Sequence, residues 1–379
     1  TGKNAEIVPS KDKINKAIRT LEPKIKNSID LAYNRIFEFH SSQKPKDIKY
    51  VDKFKNKLEY KHVPIQSVGV YVPANLPSTL LMNTIPAKIA KVRRLVLATP
   101  KVNGKLNSAV LYAAKKVGIK EIYSMGGAQA IASLAYIQKV NKIVGPGNKF
   151  VAEAKKQLPN NLVGTESMYC GASEICVLAD KYTDVNQIAT SLVSQAEHDP
   201  DSQCILVTKQ RSLIVKVKKE MNKILNSIPR KKIAISSLKK NGLAIKVYSD
   251  KQVIDVINEL APEHLELSIE DPESWLSSIE NAGAIFMGRF TPETIGDYCA
   301  GPNHVLPTST TARFASPLGV YDFQKRSSLI QCSAESSADI GRLASVVARS
   351  ESLTAHARSA EMRIESFPRD DQEGDTIDR

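Results

Sequence analysis

Apolar residues in the first 42 positions recur at helical spacing: Ile14, Ile18, Leu21, Ile25, Ile29, Ile36 and Phe37, with Pro23 placed to break or restart the helix. A lysine-rich connection follows from Lys44 to Lys61. Val68, Val70 and Val72 then alternate strictly, which predicts a strand ending at Pro73. Beyond it, short β-branched runs lie near Leu95, Ile122, Ile143, Val177, Leu206 and Ile285. Helix-like spacing covers Asn107 to Val117, Gln129 to Ile137, Val185 to Ala196 and Val253 to Leu260. Strands and helices alternating at this scale predict an α/β fold with mostly parallel sheets. Single cores stop growing at roughly 250–300 residues, so a chain of 379 residues predicts two or more domains.

Composition narrows the class without choosing a function. With 42% hydrophobic and 25% charged residues, the chain is an ordinary globular one. No apolar run reaches the roughly 18–20 residues a bilayer span needs, and the opening TGKNAEIVPSKDK lacks the apolar centre of a signal peptide. The five cysteines (Cys170, Cys176, Cys204, Cys299, Cys332) are scattered without a CxxC pair, which argues for a reducing compartment; the chain is read as cytoplasmic. The net charge of +13 favours anionic partners, such as a phosphorylated cofactor, but no helix-turn-helix, zinc-finger or RNA-binding signature accompanies it. Lysine dominates up to Lys251 and arginine afterwards, a shift without a functional account. The last segment, SFPRDDQEGDTIDR, is polar and acidic and is expected to be a mobile tail.

Four of the six histidines sit in compact polar motifs: His198 in SQAEHDP, His264 in APEHLEL, His304 in GPNHVLPT and His356 in LTAHAR. Gln195 and His198 lie three apart at the end of an apolar-periodic helix that Asp199-Pro200 should stop, so both side chains can project from one face. A shared metal fits that spacing; so does a plain polar helix terminus. Glu263 and His264 are neighbours that share a pocket only if Pro262 makes a turn there, and such a pair suits proton transfer near neutral pH. An exposed charged loop fits equally well. The segment around Asp297 and His304 is too rich in turn formers for a plain helix or strand. Gln195, His198, Asp297 and a distant His356 form a nitrogen and oxygen set without thiolate, the chemistry of a substrate-accessible zinc. SMGGAQA and VGPGNKF each join a strand to a helix, where backbone amides can receive a phosphate, though neither matches GxGxxG.

Taken together and in order, AYNRIFEFHSSQKPK, VGVYVP, LPSTLLM, GGAQAIASLAY, VGPGNKFVAEAK, SQAEHDPDSQ, LAPEHLEL, IGDYCAGPNHVLPT and SLTAHA resemble the histidinol dehydrogenase family. The resemblance implies two incomplete Rossmann-like domains, a helical lead-in and a small C-terminal helical segment, assembled as an intertwined homodimer. Its expected boundaries are 1–70 with 175–318 for one Rossmann-like domain, 71–174 for the NAD-proximal one, and 319–379 for the C-terminal segment. It implies a zinc-dependent, NAD-linked four-electron oxidation of L-histidinol to L-histidine through the aldehyde. By the same carry-over, Gln195, His198, Asp297 and His356 are zinc ligands, and Glu263 and His264 are the acid/base pair. Ser173, His304 and Glu351 match substrate-contacting positions, as do the zinc ligands and His264; Tyr71, Gln129 and Asn148 match positions near NAD. Glu351 and His356 would enter the partner chain's active site. The chain departs from the family in having only Ala74 and Asn75 between YVP and LPST, in Gly171-Ala172-Ser173-Glu174 for the usual GPSE, and in Ser167 where an aspartate is usual. A dehydrogenase of another small polar alcohol and a non-catalytic binding relative are the competing readings.

Overall fold

Runs such as Arg94–Ala98 and Gln203–Thr208 are too continuously apolar for a sheet with one wet face, and they become central strands covered on both sides. The computed structural model describes residues 7–365 apart from Ser167, Tyr169 and Cys170; the expected acidic tail from Ser366 lies outside the described residues. The chain divides into two compact units, 1–44 with 64–324, and 45–63 with 325–379.

The larger unit opens with α1 (Lys11–Arg19), capped by the Ser10 hydroxyl, and α2 (Pro23–Ser41), which starts at Pro23 because proline fits the first helical turn. The segment expected as a lysine-rich connection instead contains strands β1 (Ile48–Val51) and β2 (Lys57–Pro64), which pair antiparallel. Their lysines alternate with Ile48, Tyr50, Leu58 and Tyr60, so charge masked a period-two pattern.

The first sheet contains β3 (Ser67–Tyr71), β4 (Arg94–Ala98), β5 (Glu121–Tyr123), β6 (Lys142–Val144) and β7 (Gly164–Thr165) in the order β5-β4-β3-β6-β7, all parallel. Helices α3 (Pro77–Ile89) and α4 (Ser108–Val117), together with α1 and α2, build one core against it. Helices α5 (Gly127–Ala132), which continues as a π-helical turn to Ile137, and α6 (Lys149–Lys156) build the other. The second sheet repeats the plan with β8 (Glu174–Ala179), β9 (Gln203–Thr208), β10 (Gly242–Lys246), β11 (His264–Ser268) and β12 (Ala284–Met287) in the order β10-β9-β8-β11-β12, again all parallel. Helices α7 (Val185–Ala196), α8 (Arg211–Ser227) and α9 (Lys231–Asn241) cover one face, and α10 (Asp250–Leu260) the other. Each sheet reverses its winding once, between β3 and β6 and between β8 and β11, and such reversals open a crevice at the carboxyl ends of the strands. α11 (Glu293–Tyr298) follows β12.

Both sheets lie in the larger unit, and β3 belongs wholly to the first of them, so a boundary at residue 70 falls inside a strand. The smaller unit joins β1 and β2 to β13 (Gln324–Gln331) in a three-stranded sheet and adds α12 (Ala334–Ser350) and α13 (Thr354–Glu365). These helices are tied by Arg349, which grips the Glu361 carboxylate at 2.8 Å through both oxygens. The C-terminal segment therefore takes its compact partner from residues 45–63.

Candidate active site

α10 ends at Ala261, whose left-handed backbone (φ 43°) turns the chain while its N–H still reaches Ile257 O at 2.9 Å. Pro262 follows, so Glu263 lies just outside β11 and His264 is the strand's first residue. The turn lets neighbouring side chains share one buried pocket, as the sequence required of Pro262. Glu263 Oε2 accepts the N–H of Glu174 at 2.8 Å, and His264 Nδ1 donates to the carbonyl oxygen of that same residue at 2.8 Å. The proton on Nδ1 is thus spent on main chain, and the one that His264 can gain and lose is on Nε2. Nε2 stands 3.5 Å from Asp297 Oδ1, while Nδ1 lies 3.5 Å from Glu263 Oε2 and 3.6 Å from Glu293 Oε1.

Burial disfavours every charge here, and the carboxylates and the imidazole respond differently. Burial pushes Glu263 up to about 7 and Glu293 to about 8, against the pull of His264. For His264 burial works downward, yet Glu293, Glu263 and Asp297 outweigh it and hold its pKa well above the ordinary histidine value. Asp297 feels the same burial but stays below the usual carboxylate range because His264, His304 and His198 surround it. His304 is fixed by Nδ1, 2.6 Å from the Asp297 carbonyl oxygen, and burial lowers its pKa. His198 follows the end of α7, its N–H on Gln195 O at 3.2 Å and its carbonyl held by Arg230 at 3.0 Å. It keeps an exposed edge, while the protein packed around the rest of the ring lowers its pKa.

Gln195 is fully buried, and neither its Nε2 nor its Oε1 has a hydrogen-bond partner among the described residues. A buried amide with both ends unsatisfied is costly unless something outside the chain engages it. Ser173 sits immediately before β8, its carbonyl accepting from Gln203 N–H at 3.0 Å. Asp297, expected in a turn-rich loop, lies on α11; the helix is only six residues long, with Gly296 and Asp297 inside it, which is why composition pointed to a loop.

The structure gathers Glu263, His264, Asp297, His304 and His198 and places Gln195 one turn before His198. Glu351, the residue that ends α12, and His356 on α13 belong to the smaller unit, where His356 borders a hollow of about 270 Å³ with Cys332 and Arg363. Two buried acids went unsingled by the sequence. Glu293 lies one helical turn before Asp297, and Glu266 lies two residues after His264 on the same strand face, so i, i+4 and period-two spacing from the recognised residues would have found both. Burial lifts Glu266 to about 7 although Ser191 donates to it at 3.3 Å. Ligand-type atoms of His264, Glu293 and Asp297 all lie within 4.8 Å of one another, a second grouping able to hold a cation. It shares Asp297 with the set Gln195, His198 and Asp297. Among the described residues both ends of the Gln195 amide lack a hydrogen-bond partner, as do His264 Nε2 and Glu293 Oε2.

The residues expected near NAD sit at the carboxyl ends of the first sheet. Tyr71 closes β3 and accepts the Gly127 N–H on its hydroxyl at 3.3 Å; Gln129 is exposed on α5; Asn148 caps α6 by accepting from Phe150 and Val151 N–H at 3.1 and 3.2 Å. Gly145, just past β6, has φ 113°, and a Cβ there would lie 2.0 Å from Tyr71 O, so only glycine lets the chain leave β6 this close to the end of its parallel neighbour β3. Lys155 braces this turn by donating to Gly145 O at 2.6 Å while paired with buried Glu166. Ala74 and Asn75 form a tight turn closed by Leu76 N–H on Pro73 O at 3.3 Å. Ser167 lies outside the described residues.

The family model described as histidinol dehydrogenase matches residues 2–364. A histidinol dehydrogenase of Pelagibacter ubique is 49% identical over 369 residues, covering 96% of this chain and 86% of the relative. One of Pseudomonas syringae pv. tomato is 47% identical over 367 residues, covering 95% and 82%. The crystal structure of histidinol dehydrogenase from Elizabethkingia anophelis superposes with a TM-score of 0.91 at 35% identity, covering 95% of this chain and 85% of that one. Betaine aldehyde dehydrogenase from Staphylococcus aureus shares the fold alone, with a TM-score of 0.57 at 10% identity over 84% of this chain and 82% of that one.

Proposed function

The chain belongs to the histidinol dehydrogenase family of oxidoreductases, and from that premise we propose that it oxidises L-histidinol to L-histidine through the aldehyde, with zinc and NAD. The observation that carries the reading is the acid/base pair of Glu263 and His264, clamped on the backbone of Glu174 with Asp297 3.5 Å from the working nitrogen.

In the first oxidation Nε2 of His264 takes the alcohol proton as hydride leaves the carbon. Water then adds to the aldehyde; Glu263, with a pKa near neutrality, accepts the proton of that water. The hydrate loses its second hydride as His264 again removes a hydroxyl proton. Per histidinol, one water is consumed, two hydrides and three protons are released, and the carbon reaches the carboxylate. NAD, when bound at the carboxyl edge of the first sheet beside Tyr71, Gln129 and Asn148, supplies the hydride acceptor. Gly145 supports this edge by letting the turn after β6 pack against the Tyr71 backbone with no side chain between them. Zinc, when bound by Gln195, His198 and Asp297, supplies a positive centre that orients the amine and imidazole of the substrate and takes up the Asp297 charge that otherwise holds the proton on His264. The unpartnered Gln195 amide and the Asp297 carboxylate set among imidazoles fit such a cation. Ser173 and His304 line the substrate side. In this reading His356 completes the ligand set and Glu351 contacts substrate from a second copy of the chain, and the enzyme works in the cytoplasm.

The test is histidinol-dependent NADH formation by the zinc-loaded protein. Two NADH per histidinol, abolished by a chelator and restored by zinc, is the expected result. Turnover of simple diols but not histidinol would replace this reading with another polar alcohol, and no turnover by folded, zinc-bound protein would favour a binding relative.

A further inference from the structure

Away from the acid/base pair, the second sheet has an unfilled feature at its edge. α8 and α9 splay apart over β9 and the edge strand β10, leaving a groove of about 820 Å³. Leu206 lies at its floor, Val217 and Met221 on one wall, Ile235 and Leu238 on the other, and the half-exposed Leu243 at the lip. The polar side chains on its lining include Lys218, Lys231, Lys239, Asn222 and Asn226; among the described residues no aspartate or glutamate lines it. Lys231 donates to Asn226 Oδ1 at 2.6 Å, which fixes one ammonium at the mouth between the two helices.

We infer that this groove binds a linear amphiphilic anion, a long-chain carboxylate, with its alkyl chain between α8 and α9 and its head group on the lysines of the rim. The volume lies within the range of small-molecule sites, roughly 300–1,000 Å³. The wall from Ile214 to Asn226 runs twelve residues along α8, about 18 Å at the helical rise, which accommodates an alkyl chain of about a dozen carbons. Charge decides the head group: among the described residues three cations and no carboxylate line the groove, so an anionic head is attracted and a cationic one is repelled. The inference does not depend on the catalytic reading, because no residue of the groove belongs to the acid/base or metal-binding set.

The experiment is calorimetric titration of the full chain with octanoate, decanoate and laurate below their micelle concentrations, with dodecanol as the neutral control. Saturable one-to-one binding is expected, tightening roughly fourfold per added methylene, with dodecanol at least fivefold weaker than laurate. Met221→Trp fills the groove and is expected to weaken laurate at least tenfold; Lys218→Glu with Lys239→Glu is expected to weaken laurate and leave dodecanol unchanged. Thermal unfolding and histidinol turnover, both expected to stay near wild type, verify that these variants fold. Absence of saturable binding by the folded wild type overturns the inference, as does equal affinity of the filled variant. A change of sedimentation coefficient in Met221→Trp also overturns it, and assigns the groove to contact between copies of the chain.

Discussion

The imidazole of His264 and the backbone of Glu174 are locked together: Nδ1–H meets the Glu174 carbonyl oxygen at 2.8 Å, and the Glu174 N–H returns to the neighbouring carboxylate of Glu263 at 2.8 Å. One residue of main chain thus orients both members of the acid/base pair. His264→Asn keeps a donor for that carbonyl and loses the Nε2 base, so turnover is expected to fall about 10²–10⁴-fold with little change in unfolding temperature. Steady-state rates beside thermal melts decide it; an unchanged rate removes His264 from the mechanism.

Glu263→Gln retains an acceptor for Glu174 N–H but cannot take a proton. With Glu263 as the proposed base and burial pushing its pKa up to about 7, oxidation of the aldehyde is expected to rise with pH through that value in the wild type. In the variant that limb disappears, and histidinal oxidation falls more than histidinol oxidation. Single-turnover pH profiles on the two substrates measure the split.

Gln195→Leu separates metal binding from folding. The leucine is close in size and leaves no orphaned polar atoms, so the metal-free protein is expected to gain roughly 1–2 kcal/mol of stability. The rise in melting temperature on adding zinc should vanish with it. Loss of stability in the metal-free variant, or an undiminished response to zinc, counts against Gln195 as a ligand.

Glu266 offers a clean linkage test. Its folded pKa of about 7 exceeds the unfolded value, so between the two the native state binds more protons and stability falls as pH rises. Glu266→Gln keeps an acceptor for Ser191 and does not ionise. It is expected to match wild type near pH 4 and to exceed it by roughly 3 kcal/mol at pH 8, read by denaturant titrations at both values.

Mixing inactive variants tests whether the smaller unit serves a partner. A dimer of one His264→Ala chain and one His356→Ala chain has one site lacking both groups and one lacking neither. Random reassortment is expected to restore about a quarter of wild-type activity. No recovery despite exchange of chains places His356 in its own chain's site or outside catalysis.

Legibility differed between levels. Strands of β-branched residues and the helix 185–196 were readable because burial on both faces leaves a continuous apolar run, and the shared site at Glu263 and His264 was readable through Pro262. β1 and β2 were hidden by alternating lysines, and β10 by its place at a sheet edge, where Leu243 and Ala244 are both exposed and leave no clean alternation. Glu293 was hidden for a different reason: its role comes from a tertiary approach to His264 that no local pattern encodes, although its spacing from Asp297 marks it in retrospect.

The two sheets share one strand order, yet the acid/base pair stands at the amino-terminal start of β11, about 13 Å along the strand from its far end. In the proposed function, two sheets of one strand order work at opposite poles, carrier on the carboxyl rim of the first and proton chemistry on the amino rim of the second. For protein engineering this leaves the second crevice, between Asp180 and Trp275, as spare ground: an inserted loop or reporter there is separated from proton transfer by the length of a strand.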